Sequence, residues 1–212
     1  MRRLPVYLLL DTSGSMSGEP IEAVKNGMRV LITTLRQDPF ALETAFLSVI
    51  TFDSKAHQIV PLTDLSAFRM PEIFANGSTA LGDALTVLSR RVDDEVVKST
   101  YDRKGDWKPI VFIMTDGKPT DDWEAGLRKF QQRTFGIVVA CGAGHDADLK
   151  VLKRITDHVV QLDTTDSSVI KSFFRWVSAS ISSGSQKVEQ SGKEVKGWDE
   201  LPPPPPDINM MI

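Results

Sequence analysis

Short apolar runs alternate with longer stretches of helical spacing along most of this chain. Pro5–Leu10 is apolar throughout, the mark of a buried strand. Val24, Met28, Leu31, Ile32 and Leu35 recur on one face of a helix that begins near Pro20, a residue favoured in a first turn. Thr44–Phe52 reads as a strand, 53–56 as a turn, and His57–Leu62 as a strand returning antiparallel, where Pro61 suits a sheet edge. Ala80–Val97 is helical, Ile110–Thr115 a strand, Asp121–Arg133 a helix, Phe135–Cys141 a strand, Asp146–Ile155 a helix and His158–Leu162 a strand. Val169, Phe173, Trp176, Val177 and Ser180 mark a final helix. This alternation predicts an α/β fold, a doubly wound and mainly parallel sheet with one antiparallel edge strand and helices on both faces.

Three segments depart from the alternation. Thr63–Ser78 is long for a connection, and such loops are functional or hold a short helix. Lys98–Lys108 is a polar insertion carrying Tyr101 and Trp107. It enters the 110–115 strand from its amino end, so it belongs opposite the carboxyl edge of the sheet. From Ser178 onward the chain turns polar and reaches Trp198 and the prolines 202–206, which favour an extended left-handed helix. These features predict a folded domain over 1–185 and a flexible, polar, Pro-rich tail over 186–212. The tail reads either as disordered or as a docking peptide anchored by Trp198 or Ile208–Ile212.

Composition narrows the class. The chain has 212 residues, 41% hydrophobic and 25% charged, which suits one globular α/β domain. A net charge of −3 gives no global field for nucleic acid. The single cysteine, Cys141, excludes an intrachain disulfide and points to a reducing compartment. The apolar run after Met1-Arg2-Arg3 stops at Asp11, too short for a secretory leader, and no run reaches membrane-spanning length. A cytoplasmic location is the expectation.

The chemistry gathers at strand ends. Asp11, Ser13 and Ser15 follow the first strand, and Asp116-Gly117 follows the 110–115 strand. Asn76–Ala80 is a polar loop that places Thr79, expected to be exposed, at the start of a helix. Ligand sites in open α/β sheets lie beyond the carboxyl ends of strands. Taken singly, Asp11 reads as a helix cap and Asp116-Gly117 as a turn. Together they supply oxygen donors for a hard divalent cation. Mg²⁺ keeps several waters, and neutral hydroxyls quench little of its charge. The ion would retain an open position for a carboxylate, or act as a Lewis acid.

The order D-x-S-x-S, loop threonine, T-D-G resembles the metal-ion-dependent adhesion site of von Willebrand factor A domains, over roughly Pro5 to Ser183. The resemblance implies a Rossmann-like fold and a bound Mg²⁺ or Mn²⁺. It implies that Ser13, Ser15 and Thr79 ligate the ion directly and that Asp11 and Asp116 act mainly through water. It also implies a non-enzymatic module that binds an Asp or Glu carboxylate of a protein partner. Pro5–Gly18, Glu19–Met28, Asn76–Leu85 and Val111–Thr120 are most similar to the small bacterial members linked to tellurite resistance. That likeness implies an intracellular stress or metal-resistance complex with phosphatase or kinase partners. No residue selects tellurite.

Two rival functions share parts of this pattern. An Asp-nucleophile, Mg²⁺-dependent phosphohydrolase places its first Asp at the same point, but repeats Asp two residues later, where this chain has Ser13. An extracellular adhesion domain shares the metal site but conflicts with the absent leader and disulfides. A dinucleotide site lacks its glycine fingerprint. Among the remaining residues, His145 belongs to the metal edge, whereas His57 and His158 are expected away from it. Asp163 and Asp166 read as caps for the final helix. Lys118, Trp123 and the 118–121 loop read as a rim around the metal, and Cys141 as core.

Overall fold

The computed structural model describes residues 2–211. Seven strands form one sheet: β1 (Leu4–Asp11), β2 (Ala45–Phe52), β3 (Ala56–Asp64), β4 (Ile110–Thr115), β5 (Ile137–Ala143), β6 (Val159–Leu162) and β7 (Ile208–Met210). Their order across the sheet is β3-β2-β1-β4-β5-β6-β7. The five from β2 to β6 run parallel, and β3 and β7 pair antiparallel at the two edges. Six helices join them: α1 (Glu19–Gln37), α2 (Pro39–Thr44), α3 (Leu81–Glu95), α4 (Trp123–Phe130), α5 (Leu149–Ile155) and α6 (Ser167–Ser191).

The strand alternation sorts side chains onto two faces. Val6, Leu8 and Leu10 of β1, with Ile110, Phe112 and Met114 of β4, pack under α1 and α6. Tyr7, Leu9, Val111 and Ile113 point the other way, under α3, α4 and α5. Every residue of β1 and β4 is buried, which explains their unbroken apolar sequence. Glycines let helices meet closely. A Cβ on Gly126 would stand 2.1 Å from the Gly82 carbonyl oxygen, so α3 and α4 touch backbone to backbone.

The doubly wound sheet and its β3 edge match the sequence pattern, and three details differ from it. The short helix α2 fills what reads as the approach to β2. Asp38 caps it by accepting from the backbone N–H groups of Phe40 at 2.9 Å and Ala41 at 3.2 Å, with Pro39 in the first turn. The 63–78 connection holds no helix. Leu65, Phe68 and Ile73 instead bury it against the α1 face.

The third difference is the segment expected to be a flexible tail over 186–212: its described residues, 186–211, fold back onto the domain rather than standing outside it, and Ile212 lies outside the described residues. α6 continues to Ser191, and Gly192 ends it in the left-handed conformation, φ 63°. Val188, Val195, Leu201 and Ile208 are buried at intervals, so the segment carries the apolar anchors that a free tail lacks. The Trp176 indole donates to the Pro202 carbonyl at 2.8 Å, and Trp198 stacks on His158 with ring centroids 5.4 Å apart. The proline run then returns the chain to β6, where Ile208 pairs with Leu162. This second antiparallel edge is one more than the sequence pattern indicates.

Candidate metal centre

β1 and β4 are neighbours at the point where strand numbers stop falling and begin to rise. The crevice beyond their carboxyl ends is the binding position of an open α/β sheet. Asp11 ends β1 and Asp116 follows β4. The Ser13 backbone N–H donates to Asp11 Oδ1 at 2.8 Å, and the Thr115 hydroxyl donates to Asp11 Oδ2. The Ser13 and Ser15 hydroxyls lie 3.0 Å apart, and Ser15 donates to Asp116 Oδ1 at 2.8 Å. Ser13, Ser15 and Asp116 therefore form one continuous string of oxygens, and Asp11 joins it through the Ser13 backbone N–H.

Thr79 arrives from the other side. A Cβ on Gly117 would stand 3.4 Å from Thr79 Oγ1, so the Thr79 hydroxyl faces the turn that carries Asp116. Thr79 is only 6% exposed, contrary to its expected place on an open loop. The reason is a set of cross-links that the sequence does not display. The Thr79 N–H donates to Thr120 Oγ1 at 3.0 Å, and the Thr120 N–H to the Thr79 carbonyl at 2.9 Å. Asp121 accepts from the backbone of Gly82 at 3.0 Å and Asp83 at 2.8 Å, capping α3 from a distant loop. Gly14 N–H donates to Gly77 carbonyl at 2.9 Å and Asn76 N–H to Thr12 carbonyl at 2.8 Å, which ties the third loop to the first.

The site's electrostatics call for a counter-charge. Burial pushes the Asp11 carboxyl above the usual carboxylate range, against hydrogen bonds from Ser13 and Thr115. Burial does the same to Asp116, aided by the charge of Asp146 and opposed by the Ser15 hydroxyl. Among the described residues no cluster of three or more His, Cys, Asp or Glu is placed to hold a metal. Any ion here would depend on hydroxyl and carboxylate oxygens, donors that suit a hard divalent cation.

An open cleft of about 400 Å³ runs from Ser15 and Asp116 past His145, Asp146 and Asp163. His145 thus lies on the metal edge. His57 also starts at that edge, contrary to expectation, because β3 runs antiparallel and Thr51 of β2 is its partner. The capping role expected of two aspartates is not used. Asp166 holds the N-cap position of α6 without a capping bond and accepts from the Thr164 hydroxyl at 2.9 Å. Asp163 accepts from Asn209 Nδ2 at 2.8 Å. Lys118 is exposed, but Trp123 packs against the α3 face under the Arg154 guanidinium, 4.7 Å from the ring centroid. Trp123 is therefore no free rim aromatic. Cys141 is fully buried core, and burial pushes its thiol up. What sequence reasoning missed are the roles of Thr115, which binds Asp11, and of Thr120 and Asp121, which the sequence pattern marks only as part of a rim loop but which tie down Thr79 and α3. The T-D-G and K-P-T-D segments signal a turn but not its distant partners.

The sequence profile of the von Willebrand factor type A domain matches residues 6–175. This chain belongs to that family. Among curated relatives, an uncharacterised protein of Synechocystis is 33% identical over 124 residues, which cover 55% of this chain and 26% of that one. A type A domain protein of Catenulispora acidiphila has the same fold, with a TM-score of 0.65 and 20% identity over 86% of this chain and 43% of the other. Proximal thread matrix protein 1 of the mussel byssus, solved with zinc in its metal-ion-dependent adhesion site, gives 0.56 and 19% over 84% and 46%. This type A domain spans about a quarter of the length of the Synechocystis relative. Among the described residues no helix is long and apolar enough to cross a membrane.

Proposed function

We propose that Asp11, Ser13, Ser15, Thr79 and Asp116 hold Mg²⁺ or Mn²⁺ and that the domain is a non-enzymatic module for a protein partner. The observation that carries this reading is the oxygen string Ser13–Ser15–Asp116, backed by buried Asp11 and faced by Thr79. The Ser13, Ser15 and Thr79 hydroxyls would hold the ion, and Asp11 and Asp116 would balance its charge. The ion would supply an electrophilic position for a partner's Asp or Glu carboxylate. The zinc-filled site of the mussel protein supports a divalent ion at this place. The oxygen donors favour Mg²⁺ or Mn²⁺ over zinc, which prefers nitrogen and sulfur.

The binding role is preferred over phosphoryl transfer because Asp11 is 1% exposed and both of its carboxylate oxygens already accept hydrogen bonds. A nucleophile needs an open approach. Ser13 also leaves no second carboxyl to move the proton. The likeness of the 5–18, 19–28, 76–85 and 111–120 segments to the tellurite-linked bacterial members supports a cytoplasmic stress-resistance complex with a phosphatase or kinase partner.

Calorimetry with Mg²⁺, Mn²⁺ and Zn²⁺ on wild type, Ser15→Ala and Thr79→Ala tests the site. Ser15 is exposed, so its variant should keep its fold and lose about tenfold or more in affinity, the worth of one ligand contact. Equal metal binding by all three proteins would overturn the assignment.

A further inference from the structure

The 98–108 segment carries chemistry that the metal centre does not use. It lies at the amino ends of β1 and β4, where the Trp107 N–H donates to the Arg3 carbonyl at 2.9 Å. β1 has eight residues, so this pole is about 25 Å from the metal loops. Arg3 clasps the Asp106 carboxylate, Nε at 3.0 Å from Oδ1 and Nη2 at 2.5 Å from Oδ2. Asp106 also accepts from the Val97 N–H at 2.8 Å, so its charge is matched. Arg2 lies over Trp107, its guanidinium carbon 3.4 Å from the ring centroid. Its Nε donates to the Gly105 carbonyl at 2.7 Å.

Arg2, Arg3, Arg103 and Lys104 line one depression of about 250 Å³, with Asp106 as its acidic member. Arg103 and Lys104 are exposed. Among the described residues no carboxylate pairs with Arg2, Arg103 or Lys104. Once Arg3 and Asp106 cancel, three cations face one small hollow. A single carboxylate would leave most of that charge unmet. A phosphate monoester brings nearly two charges and three acceptor oxygens. Arg2, already held by the Trp107 ring and the Gly105 carbonyl, loses little freedom on engaging such a group.

We propose that this depression binds a phosphate monoester carried on a protein partner. The site works without the metal centre and is independent of the reading given above for that centre. Titration calorimetry in EDTA tests it, with inorganic phosphate, with an acetyl-Ala-Ala-phosphoserine-Ala-Ala amide peptide and with a short DNA duplex. The peptide should bind in EDTA, more tightly than inorganic phosphate and more tightly than the duplex, and weaken as salt rises. Arg103→Ala and Lys104→Ala should each weaken it about tenfold, the worth of one charge-assisted contact, with unchanged thermal midpoints. No peptide binding overturns the proposal, as does binding that needs Mg²⁺ or that both variants retain in full. Tighter binding of inorganic phosphate or of the duplex overturns the protein source.

Discussion

Thr115 supports the candidate site without being one of the residues proposed to hold its ion. It donates to Asp11 Oδ2 within a pocket where Asp11 is 1% exposed. Thr115→Val keeps the shape and leaves that oxygen buried without a donor, a loss of about 1–3 kcal/mol. Urea denaturation should show this loss, calorimetry should show weaker metal binding, and Thr115→Ser should restore both. At this scale much was legible in the sequence. Asp11, Ser13, Ser15 and Asp116 flank apolar runs whose ends are unambiguous, and strand adjacency brings them together. The burial of Thr79 was not legible, because it comes from Thr120 and Asp121, whose partners lie 41 and 38–39 residues away. Local pattern carries no record of such long-range bonds.

Among the elements, two junctions decide how the site is held. The first is the α3–α4 contact at Gly82 and Gly126. α3 begins just after Thr79, and α4 follows the loop that caps it, so this contact positions Thr79 against the turn that carries Asp116. Gly126→Ala forces a Cβ against the Gly82 backbone and should cost about 1–3 kcal/mol. It should also weaken metal binding more than a core change of equal cost elsewhere, such as Ile155→Val combined with a second trim on α5; paired thermal and calorimetric measurements separate the two.

The second junction is the return of the chain to β6. Truncation after Ser185 removes the buried Val188, Val195, Leu201 and Ile208 and strips the cover from Trp176. Each buried apolar side chain contributes about 1.5–3 kcal/mol, so the thermal midpoint should fall by more than about 10 °C. An unchanged midpoint would show that the segment adds nothing to the fold. Its integration was hidden in the sequence because its anchors are spaced singly among polar residues and prolines, with no helical or strand period to reveal them. The short helix α2 escaped for a different reason: at six residues it is too brief to show a repeat.

At the level of the whole molecule, a ligand that binds only the folded state stabilises all of it at once. At about 100 times its dissociation constant an ion adds about 2.7 kcal/mol. The thermal midpoint of the intact chain should therefore rise with Mg²⁺ or Mn²⁺ and fall back with EDTA, and Thr79→Ala should flatten that response. The fold class was the most legible feature of the chain, since alternating strands and helices leave few architectures open. The sheet's second antiparallel edge was the least, since it depends on three residues near the end of a polar stretch.

The lacing of the site has a temporal side. Ser15 and Asp116 are joined across 101 positions, and Asp11 and Thr115 across 104. A ribosome that has made everything before β4 has produced four of the five oxygen-bearing residues and still no cradle for an ion. Nor can a proteolytic stump keep one after β1 and β4 part. If the ion binds as proposed, its capture reports that β4 has been made and has paired with β1, and a cut that lets the two strands part would release the ion and any partner held through it.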